Sequence, residues 1–231
     1  MPIARTLQFQ VVSRQGTTPL AFTFDTLICG GYSGRNQEAI ARHIAELREH
    51  GLEAPSKTPI FFKVSTNLAV TEAAVEVQTP RTSGEVEFVL LCVEGEPRWV
   101  TVGSDHTDRE MERHSIAASK QMYPKIVAPT LWPFAEVREH WDALLLRSWV
   151  HMNGERRLYQ EDTLDTMLSP TVLLEAAASE YPPEAFRRSV VFSGTVATRS
   201  GELLFGERFD IELSDPVLGR QIQHSYAVTL L

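Results

Sequence analysis

Hydrophobic and polar residues alternate over two segments near the start of the chain, residues 7–13 and 20–29. A period of two residues is typical of strands in a sheet, and both segments are rich in β-forming residues. Over residues 36–50 the apolar residues instead recur at helical spacing, which predicts a helix that ends at Gly51. The chain is therefore expected to begin with two strands and a helix.

Short segments that favour strands continue along most of the remaining chain. They comprise residues 60–64, 74–77, 85–93, 98–102, 142–152, 190–195, 207–213 and 221–230. The pair Asn153-Gly154 follows one of these segments and predicts a tight hairpin turn, because both residue types accept the positive φ angles of that turn. Strands should therefore outnumber helices.

Two further helices are expected among these strands. Residues 105–119 contain enough helix-forming residues for a helix capped by Asp105 or Thr107. Residues 170–180 predict a second helix with a proline near its start. The three prolines of residues 120–134 predict a long irregular segment between the two helices.

The length of 231 residues fits one large domain or one domain with a small extension. The order of the predicted elements favours a strand-rich α+β domain over residues 27–231. An N-terminal strand extension, residues 1–26, would pack on that domain.

The balance of charged residues argues against one class of partner. The chain has 22 Lys and Arg against 30 Asp and Glu, a net charge of −8, whereas proteins that bind nucleic acid carry a basic face. The longest wholly apolar run, residues 88–93, is far shorter than the roughly 20 residues that cross a bilayer. With no apolar leader and with Cys29 and Cys92 in apolar segments, we expect a cytoplasmic protein with buried thiols and neither a nucleic-acid nor a membrane partner.

Three acidic residues occupy positions that favour a bound cation. Glu85 and Glu87 point to the same face of a predicted strand, and Asp105 follows the next predicted strand. If these strands pair as a hairpin, Asp105 returns beside the two glutamates. Like charges repel unless a cation lies between them, and Mg²⁺ and Mn²⁺ prefer carboxylate oxygens. The alternative is that the glutamates lie on a solvated edge and Asp105 only caps a helix.

A second candidate group lies in the helix predicted over residues 36–50. His43 and Glu46 are three residues apart and hence neighbours on one helix face. A carboxylate beside an imidazole keeps it basic and oriented, as a general base acting on water requires. The alternative is an ordinary solvated helix face. Lys120, in the proline-rich segment, is either a group that binds an anionic substrate or a surface lysine.

Taken in order, the motifs between residues 27 and 228 resemble those of the fumarylacetoacetate hydrolase superfamily. The segments that carry the resemblance are residues 28–36 (the G-x-N-Y turn), 43–47 (H-x-x-E), 59–66 (P-x-F-x-K-P-S-T), 84–88 (E-x-E), 104–110 (N-D-x-S-A-R-D), 119–122 (G-K-S-F), 153–155 (N-G-E) and 193–195 (T-G-T-P). Each fragment alone is weak, but their shared order with matching chemistry identifies the superfamily.

The resemblance implies a mixed β-sandwich roll with a few peripheral helices, usually a homodimer, that acts on a small-molecule substrate. It implies Mg²⁺ or Mn²⁺ on the three carboxylates and catalytic roles for His43, Glu46 and Lys120, in which Glu46 holds His43 to activate water. The substrate-binding positions it implies are Arg35, Lys63, Arg109, Glu112 and Thr195.

Members of this superfamily act on small oxo- or enol-carboxylates by hydrolysis, decarboxylation, hydration or isomerisation. The resemblance therefore implies a divalent-metal-dependent hydrolase that cleaves a C–C or C–N bond, in the catabolism of an aromatic or heterocyclic compound. A metal-dependent lyase or isomerase and a binding protein without activity are the alternatives.

Asp108 and Glu112 are among the residues that depart from the superfamily pattern. Asp108 replaces a small residue, and Glu112 stands where many members have a substrate-binding glutamine. Because a glutamate there would repel a carboxylate, the usual orientation of a diacid substrate is not expected to be retained.

Overall fold

A computed structural model describes residues 3–38, 40–42, 44 and 57–231, which form three β-sheets with short helices beside them. The strands are, in chain order, β1 (Arg5–Ser13), β2 (Gly16–Phe24), β3 (Thr26–Gly31), β4 (Ile60–Val64), β5 (Ala69–Val70), β6 (Ala74–Val77), β7 (Thr82–Ser83), β8 (Val86–Val93), β9 (Glu96–Asp105), β10 (Thr107–Asp108), β11 (Lys125–Val127), β12 (Thr130–Pro133), β13 (Leu145–Met152), β14 (Glu155–Thr163), β15 (Arg188–Phe192), β16 (Arg208–Asp215) and β17 (Arg220–Leu230).

The helices are short and lie between the strands. The α-helices are α1 (Arg109–Glu112), α2 (Ile116–Met122), α3 (Phe134–Val137) and α4 (Pro170–Ala178), and the described residues between 37 and 44 are helical as well. Turns of 3-10 helix cover Thr66–Leu68, Arg138–Ala143, Leu164–Thr166 and Pro183–Phe186. Within the described chain, no helix is both long enough and apolar enough to cross a membrane.

Two of the sheets face each other as a sandwich. The larger has the strand order β2-β1-β12-β9-β8-β15-β3-β4, with β11 joining β9 to β5, and the smaller has the order β14-β13-β16-β17-β6. Their inner faces share one apolar core, to which β8 contributes Phe88 and Leu90, β13 contributes Leu146 and β16 contributes Phe209. This arrangement confirms the expected α+β fold, a mixed β-sandwich with few peripheral helices.

Strand β8 lies in the middle of the molecule and is buried on both faces. Phe88 and Leu90 point into the core between the sheets, whereas Val89 and Leu91 point into a second core with residues of β1 and β2. Burial on both faces explains the continuous apolar run of this strand. The β1-β2 hairpin joins the large sheet through parallel pairing of β1 with β12, and a domain boundary after residue 26 stays a prediction.

Two predictions of local structure are confirmed. The turn at Asn153-Gly154 joins β13 to β14, and its residues have φ angles of 54° and 77°, as a tight hairpin turn requires. The two cysteines, Cys29 and Cys92, are free thiols inside the protein.

The prediction of one helix over residues 105–119 is wrong. Strand β9 continues through Asp105, and the helical part is split into α1 and α2. The caps are Asp108, which accepts the N–H groups of Glu110 and Met111, and Ser115, which accepts the N–H of Ala118. Each cap begins a separate helix, so neither Asp105 nor Thr107 serves as one.

Two further boundaries also differ from the prediction. Residues 20–29 are not one strand: they contain the end of β2 and most of β3, with Asp25 between the two strands. Residues 120–134 contain the end of α2, then β11 and β12, rather than only an irregular segment. The prolines lie before, between and at the end of these two strands, where a missing N–H does not interrupt the sheet.

Candidate metal centre

The start of β8 and the end of β9 lie side by side and bring the predicted carboxylates together. Val86 pairs with Ser104, and the N–H of Asp105 donates to the carbonyl oxygen of Glu85 at 3.0 Å. One carboxylate oxygen from each of Glu85, Glu87 and Asp105 lies within 4.8 Å of the others. The hairpin thus gives the proximity that the spacing predicts, and we call these three residues the carboxylate cluster.

Glu85 is held by two cations from the helices that follow β10. Its Oε1 accepts a hydrogen bond from Arg109 of α1 at 2.9 Å, and its Oε2 accepts one from Lys120 of α2 at 2.8 Å. Burial alone would raise the pKa of Glu85, but the charges of Lys120 and Arg109 outweigh it and hold the pKa well below its usual range. Glu85 is therefore ionised.

Asp105 is fully buried between two lysines. Lys120 lies 2.7 Å from its Oδ2 and Lys125 lies 2.5 Å from its Oδ1, as ion pairs whose angles fall outside hydrogen-bond geometry. Burial opposes ionisation, yet the two ammonium groups lower the pKa of Asp105. The same contacts act on Lys120: burial would lower its pKa, but Asp105 and Glu85 raise it.

Glu87 is the unbalanced member of the carboxylate cluster. It is fully buried, its Oε2 accepts the backbone N–H of Gly194 at 2.7 Å, and its Oε1 has no hydrogen-bond partner. Burial, followed by the charge of Asp105, raises the pKa of Glu87 well above its usual value. Gly194 has φ of +92°, a conformation that other residues rarely adopt, so a glycine is needed to aim this N–H at the carboxylate.

The donor set of the carboxylate cluster fits a hard divalent cation. Its ligand atoms are all carboxylate oxygens, the kind that Mg²⁺ and Mn²⁺ prefer, and the Oε1 atom of Glu87 is a buried acceptor that lacks a donor. The ammonium group of Lys120 lies between Glu85 and Asp105, which shows that this gap favours positive charge. The residues present therefore fit a metal ion.

The sequence analysis does not identify Lys125 as a site residue. In the structure, its backbone lies opposite that of Asp105, where β11 pairs with β9. Its side chain is fully buried and also donates to the carbonyl oxygen of His106 at 3.2 Å. Burial and the nearby charge of Lys125 lower the pKa of His106 to about 3, so its ring is neutral. The only sign of Lys125 in the sequence is that the apolar pair Ile126-Val127 follows it, in a segment predicted to be irregular.

A second group that the sequence did not indicate supports the cluster from the small sheet. Tyr226 of β17 places its hydroxyl 2.8 Å from Ser104 Oγ and 3.1 Å from His106 Nδ1. Ser104 in turn accepts the backbone N–H of Glu85 at 3.2 Å. These hydrogen bonds connect Tyr226 of the small sheet to the backbone of Glu85, just before β8, and hold that backbone in place.

The carboxylate cluster opens into a cavity of about 620 Å³. Glu85, Glu87 and Lys120 form its charged floor, and two of the predicted substrate-binding residues, Glu112 and Thr195, line it as well. The larger apolar side chains of the cavity, which we call the apolar wall, are Ile40, Ile60, Phe62, Ile116, Met167 and Val196. A cavity of this size with a few convergent polar groups is typical of a small-molecule site.

Glu112 and Thr195 are both held by neighbouring groups. Glu112 accepts a hydrogen bond from Arg109 at 2.9 Å, which reduces the repulsion that a free glutamate would exert on a carboxylate. The hydroxyl of Thr195 donates to the carbonyl oxygen of Val86 at 2.8 Å and accepts from Gln160 at 2.7 Å. Both side chains are thus fixed in the cavity wall.

The other predicted substrate-binding residues lie off the cavity wall. Arg35 pairs with Asp142 through two hydrogen bonds of 2.9 and 2.7 Å, and Lys63 is an exposed residue of β4. Arg109 is buried behind the cavity, where it links Glu85, Glu112 and Ser83. The substrate-binding roles of these three residues remain predictions.

Two further groups from the sequence analysis have different outcomes. Asp108, which departs from the superfamily pattern, caps α1 and accepts hydrogen bonds from Thr79 and Tyr123. His43 and Glu46, the predicted water-activating pair, lie outside the described residues.

Comparison with known proteins gives a family and a fold. Residues 30–226 match the model of one protein family, described as Protein of unknown function (DUF2848). No curated protein matches the sequence.

Three solved structures illustrate the fold. A 2-keto-3-deoxy-D-arabinonate dehydratase, complexed with magnesium and 2,5-dioxopentanoate, has a TM-score of 0.64 and 14% identity over 89% of this chain and 73% of that one. A 5-carboxymethyl-2-hydroxymuconate delta-isomerase from Mycobacterium smegmatis has a TM-score of 0.61 and 13% identity over 98% and 99%. A fumarylacetoacetate hydrolase from psychrophilic Exiguobacterium antarcticum has a TM-score of 0.60 and 15% identity over 93% and 82%. These likenesses confirm the fold of the fumarylacetoacetate hydrolase superfamily.

Proposed function

Since the chain belongs to the DUF2848 family and has the fold of the fumarylacetoacetate hydrolase superfamily, we propose that it is a divalent-metal-dependent hydrolase of a small oxo- or enol-carboxylate. The observation that carries the proposal is the carboxylate cluster at the floor of a cavity, with a buried oxygen of Glu87 that lacks a donor. The bond cleaved would be C–C or C–N, in the catabolism of an aromatic or heterocyclic compound, by a cytoplasmic homodimer.

Glu85, Glu87 and Asp105 would hold Mg²⁺ or Mn²⁺. When bound, such an ion supplies a positive charge that polarises substrate oxygens and stabilises developing enolate charge. Lys120 lines the cavity beside these carboxylates, so its ammonium group would donate hydrogen bonds to an anionic oxygen of the substrate. Arg109 would keep Glu85 ionised and aligned through its 2.9 Å contact.

His43 and Glu46 complete the proposed machinery. His43, oriented by Glu46, would accept a proton from a water molecule that attacks the substrate carbonyl carbon. Thr195 and Glu112 would position the substrate from the cavity wall, and Arg35, Lys63 and Arg109 are assigned to substrate binding by the resemblance alone. The similar dehydratase is complexed with magnesium and an oxo-acid, which supports this class of ligand.

The test of the proposal is metal binding by variants of the carboxylate cluster. We expect Glu85→Ala and Glu87→Ala to abolish Mn²⁺ binding measured by calorimetry and to abolish hydrolysis across a panel of oxo-acids and enamides. Unchanged affinity for Mn²⁺ in both variants would contradict the proposed site. Wild-type protein that binds the metal but turns over nothing in the panel would favour a binding protein instead.

A lyase or isomerase with the same metal centre is the second candidate, favoured by the similar dehydratase and isomerase structures. In that case stabilising the enolate is the main task and no attacking water is needed. The variant His43→Ala separates hydrolysis from decarboxylation: hydrolysis should collapse, because the base is gone, whereas decarboxylation would survive. The measurement is product analysis by mass spectrometry with the variant and the wild type at equal metal loading.

A further inference from the structure

The cavity has two chemically different parts. Its floor is made of Glu85, Glu87 and Lys120, and its larger apolar side chains are the six of the apolar wall, beside which polar residues such as Tyr32 and Thr195 also line the cavity. Met167 and Val196 of this wall belong to the apolar core between the sheets, and Phe62 is a half-buried residue of β4. At least part of the wall is therefore fixed by packing in the core.

The size of the cavity exceeds what the floor alone would need. A volume of about 620 Å³ lies in the range of roughly 300–1,000 Å³ that is typical of pockets for small organic ligands. An oxo-acid head group that contacts the carboxylate cluster fills only the floor and leaves the apolar wall in contact with water. An apolar extension of the substrate would cover that wall and gain the free energy of burial.

Charged residues at the rim do not favour a second carboxylate on the substrate. Glu112 is paired with Arg109, and Asp162 and Arg113 contribute one charge of each sign. Lys120, the cation on the floor, is already in contact with Glu85 and Asp105. Along the described wall, then, no surplus of positive charge faces the place where a distal carboxylate would lie.

We infer that the substrate of this site, granted the proposed function, is an oxo- or enol-acid with a single carboxylate and an uncharged apolar tail. The carboxylate and the adjacent oxo group would lie on the floor, and the tail, aromatic or branched aliphatic, would lie against Phe62, Ile116 and Met167. A distal carboxylate would be desolvated against the apolar part of this wall, while Arg113 and Asp162 together add no net positive charge, which disfavours dicarboxylates.

A matched pair of oxo-acids tests the inference by binding rather than by turnover. The compounds 2-oxo-4-phenylbutanoate and 2-oxoglutarate share the same head and spacer and differ only in ending with a phenyl group or a carboxylate. Calorimetry with the Mg²⁺-loaded protein should show at least about tenfold tighter binding of the phenyl compound. Oxalate, which has no tail, serves as the probe of the floor alone.

Two variants test whether the apolar wall causes the preference for 2-oxo-4-phenylbutanoate over 2-oxoglutarate. Phe62→Ala should weaken binding of 2-oxo-4-phenylbutanoate about tenfold and leave oxalate binding unchanged, because only the tail contacts the ring. Ile116→Lys should reduce or reverse the preference by adding a cation for the distal carboxylate of 2-oxoglutarate. Val172→Ala is the matched control, since Val172 is 45% exposed on α4 and does not line the cavity.

The outcomes distinguish this inference from the proposed function. If oxalate binds and 2-oxoglutarate binds as tightly as the phenyl compound, the apolar-tail inference is overturned and the proposed function stands. A preference that persists unchanged in both wall variants would overturn it as well. If oxalate fails to bind the metal-loaded protein, the proposed function and the inference fall together.

Discussion

Two of the regions in which basic side chains surround a carboxylate differ in how completely the carboxylate oxygens are satisfied. The first is the carboxylate cluster at the end of the β8–β9 hairpin. The second, on the small sheet, is the Asp210 cluster, which consists of Asp210, His151, Arg156, Arg208 and Ser225.

In the Asp210 cluster both carboxylate oxygens of Asp210 accept hydrogen bonds. One oxygen of Asp210 accepts from His151 at 2.8 Å and Arg156 at 2.7 Å, and the other accepts from Arg208 at 3.0 Å and Ser225 at 2.7 Å. Burial would raise the pKa of Asp210, but the hydrogen bonds from His151 and Arg156 outweigh it and lower the pKa. Such an arrangement stabilises the sheet and leaves no place for a ligand.

In the carboxylate cluster the acceptors exceed the donors. Glu85 and Asp105 are paired with Arg109, Lys120 and Lys125, while one oxygen of the fully buried Glu87 has no partner. An unsatisfied buried carboxylate oxygen is costly unless a ligand satisfies it. The unpaired acceptor, rather than the number of ion pairs, therefore distinguishes the proposed metal site from the Asp210 cluster.

The largest effect should come from the same substitution in the two clusters. Asp105→Asn removes a charged ligand, so Mn²⁺ affinity should fall at least about 1,000-fold, which corresponds to about 4 kcal/mol. Asp210→Asn should leave that affinity unchanged, because the Asp210 cluster has no free acceptor. Calorimetric titration of both variants makes the comparison, and an equal loss of affinity in the two would break it.

The next effect concerns Lys125, the fully buried partner of Asp105. Lys125→Met leaves Asp105 with one cation fewer, and removal of one member of a buried ion pair should lower the free energy of unfolding by about 3 kcal/mol. Bound Mn²⁺ should restore part of this loss by replacing the missing charge. Urea unfolding with and without Mn²⁺ measures both quantities, and a loss of the same size in each condition would show that the lysine charge is unrelated to the metal.

A smaller, pH-dependent effect is expected at Asp210. Because its pKa is lowered on folding, the carboxylate stabilises the protein above the unfolded-state pKa of about 3.9, and this contribution is lost as the pH falls. Asp210→Asn should thus lower the free energy of unfolding by about 1–2 kcal/mol at pH 7 and by less at pH 3. Urea unfolding at the two pH values checks this, and a difference independent of pH would contradict it.

The smallest effect should come from Arg35, whose partner is an exposed residue. The side chains of Arg35 and Asp142 are 43% and 56% exposed, so Arg35→Ala should cost less than about 1 kcal/mol of stability. Since Arg35 does not line the cavity, we also expect unchanged affinity of the Mg²⁺-loaded protein for oxalate. Weaker oxalate binding would instead support the substrate-binding role that the resemblance implies.

The sequence predicts the parts of the site that depend on local order. The strand predicted over residues 85–93 and its short connection to β9 are enough to place Glu85, Glu87 and Asp105 together, because the turn of a hairpin fixes its register. The Asn153-Gly154 turn is predicted for the same reason.

The parts that depend on contacts between distant segments are not predicted. Lys125 reaches Asp105 through pairing of β11 with β9, and the N–H of Gly194 reaches Glu87 from a loop more than a hundred residues away in the chain. Pairing with β9 also overrides the prolines that suggested an irregular segment. Asp108 resembles a site residue in sequence because it follows Asp105 closely, yet its side chain turns to the N-terminus of α1.

The central claim is that the carboxylate cluster holds a divalent cation, and diffraction from crystals grown with Mn²⁺ tests it most directly. We predict one anomalous scattering peak among Glu85, Glu87 and Asp105, at coordination distance from all three, with Oε1 of Glu87 among its ligands and with Lys120 moved out of the gap. A map with Lys120 still between Glu85 and Asp105, and with Mn²⁺ absent from the cluster or bound elsewhere, would contradict the claim.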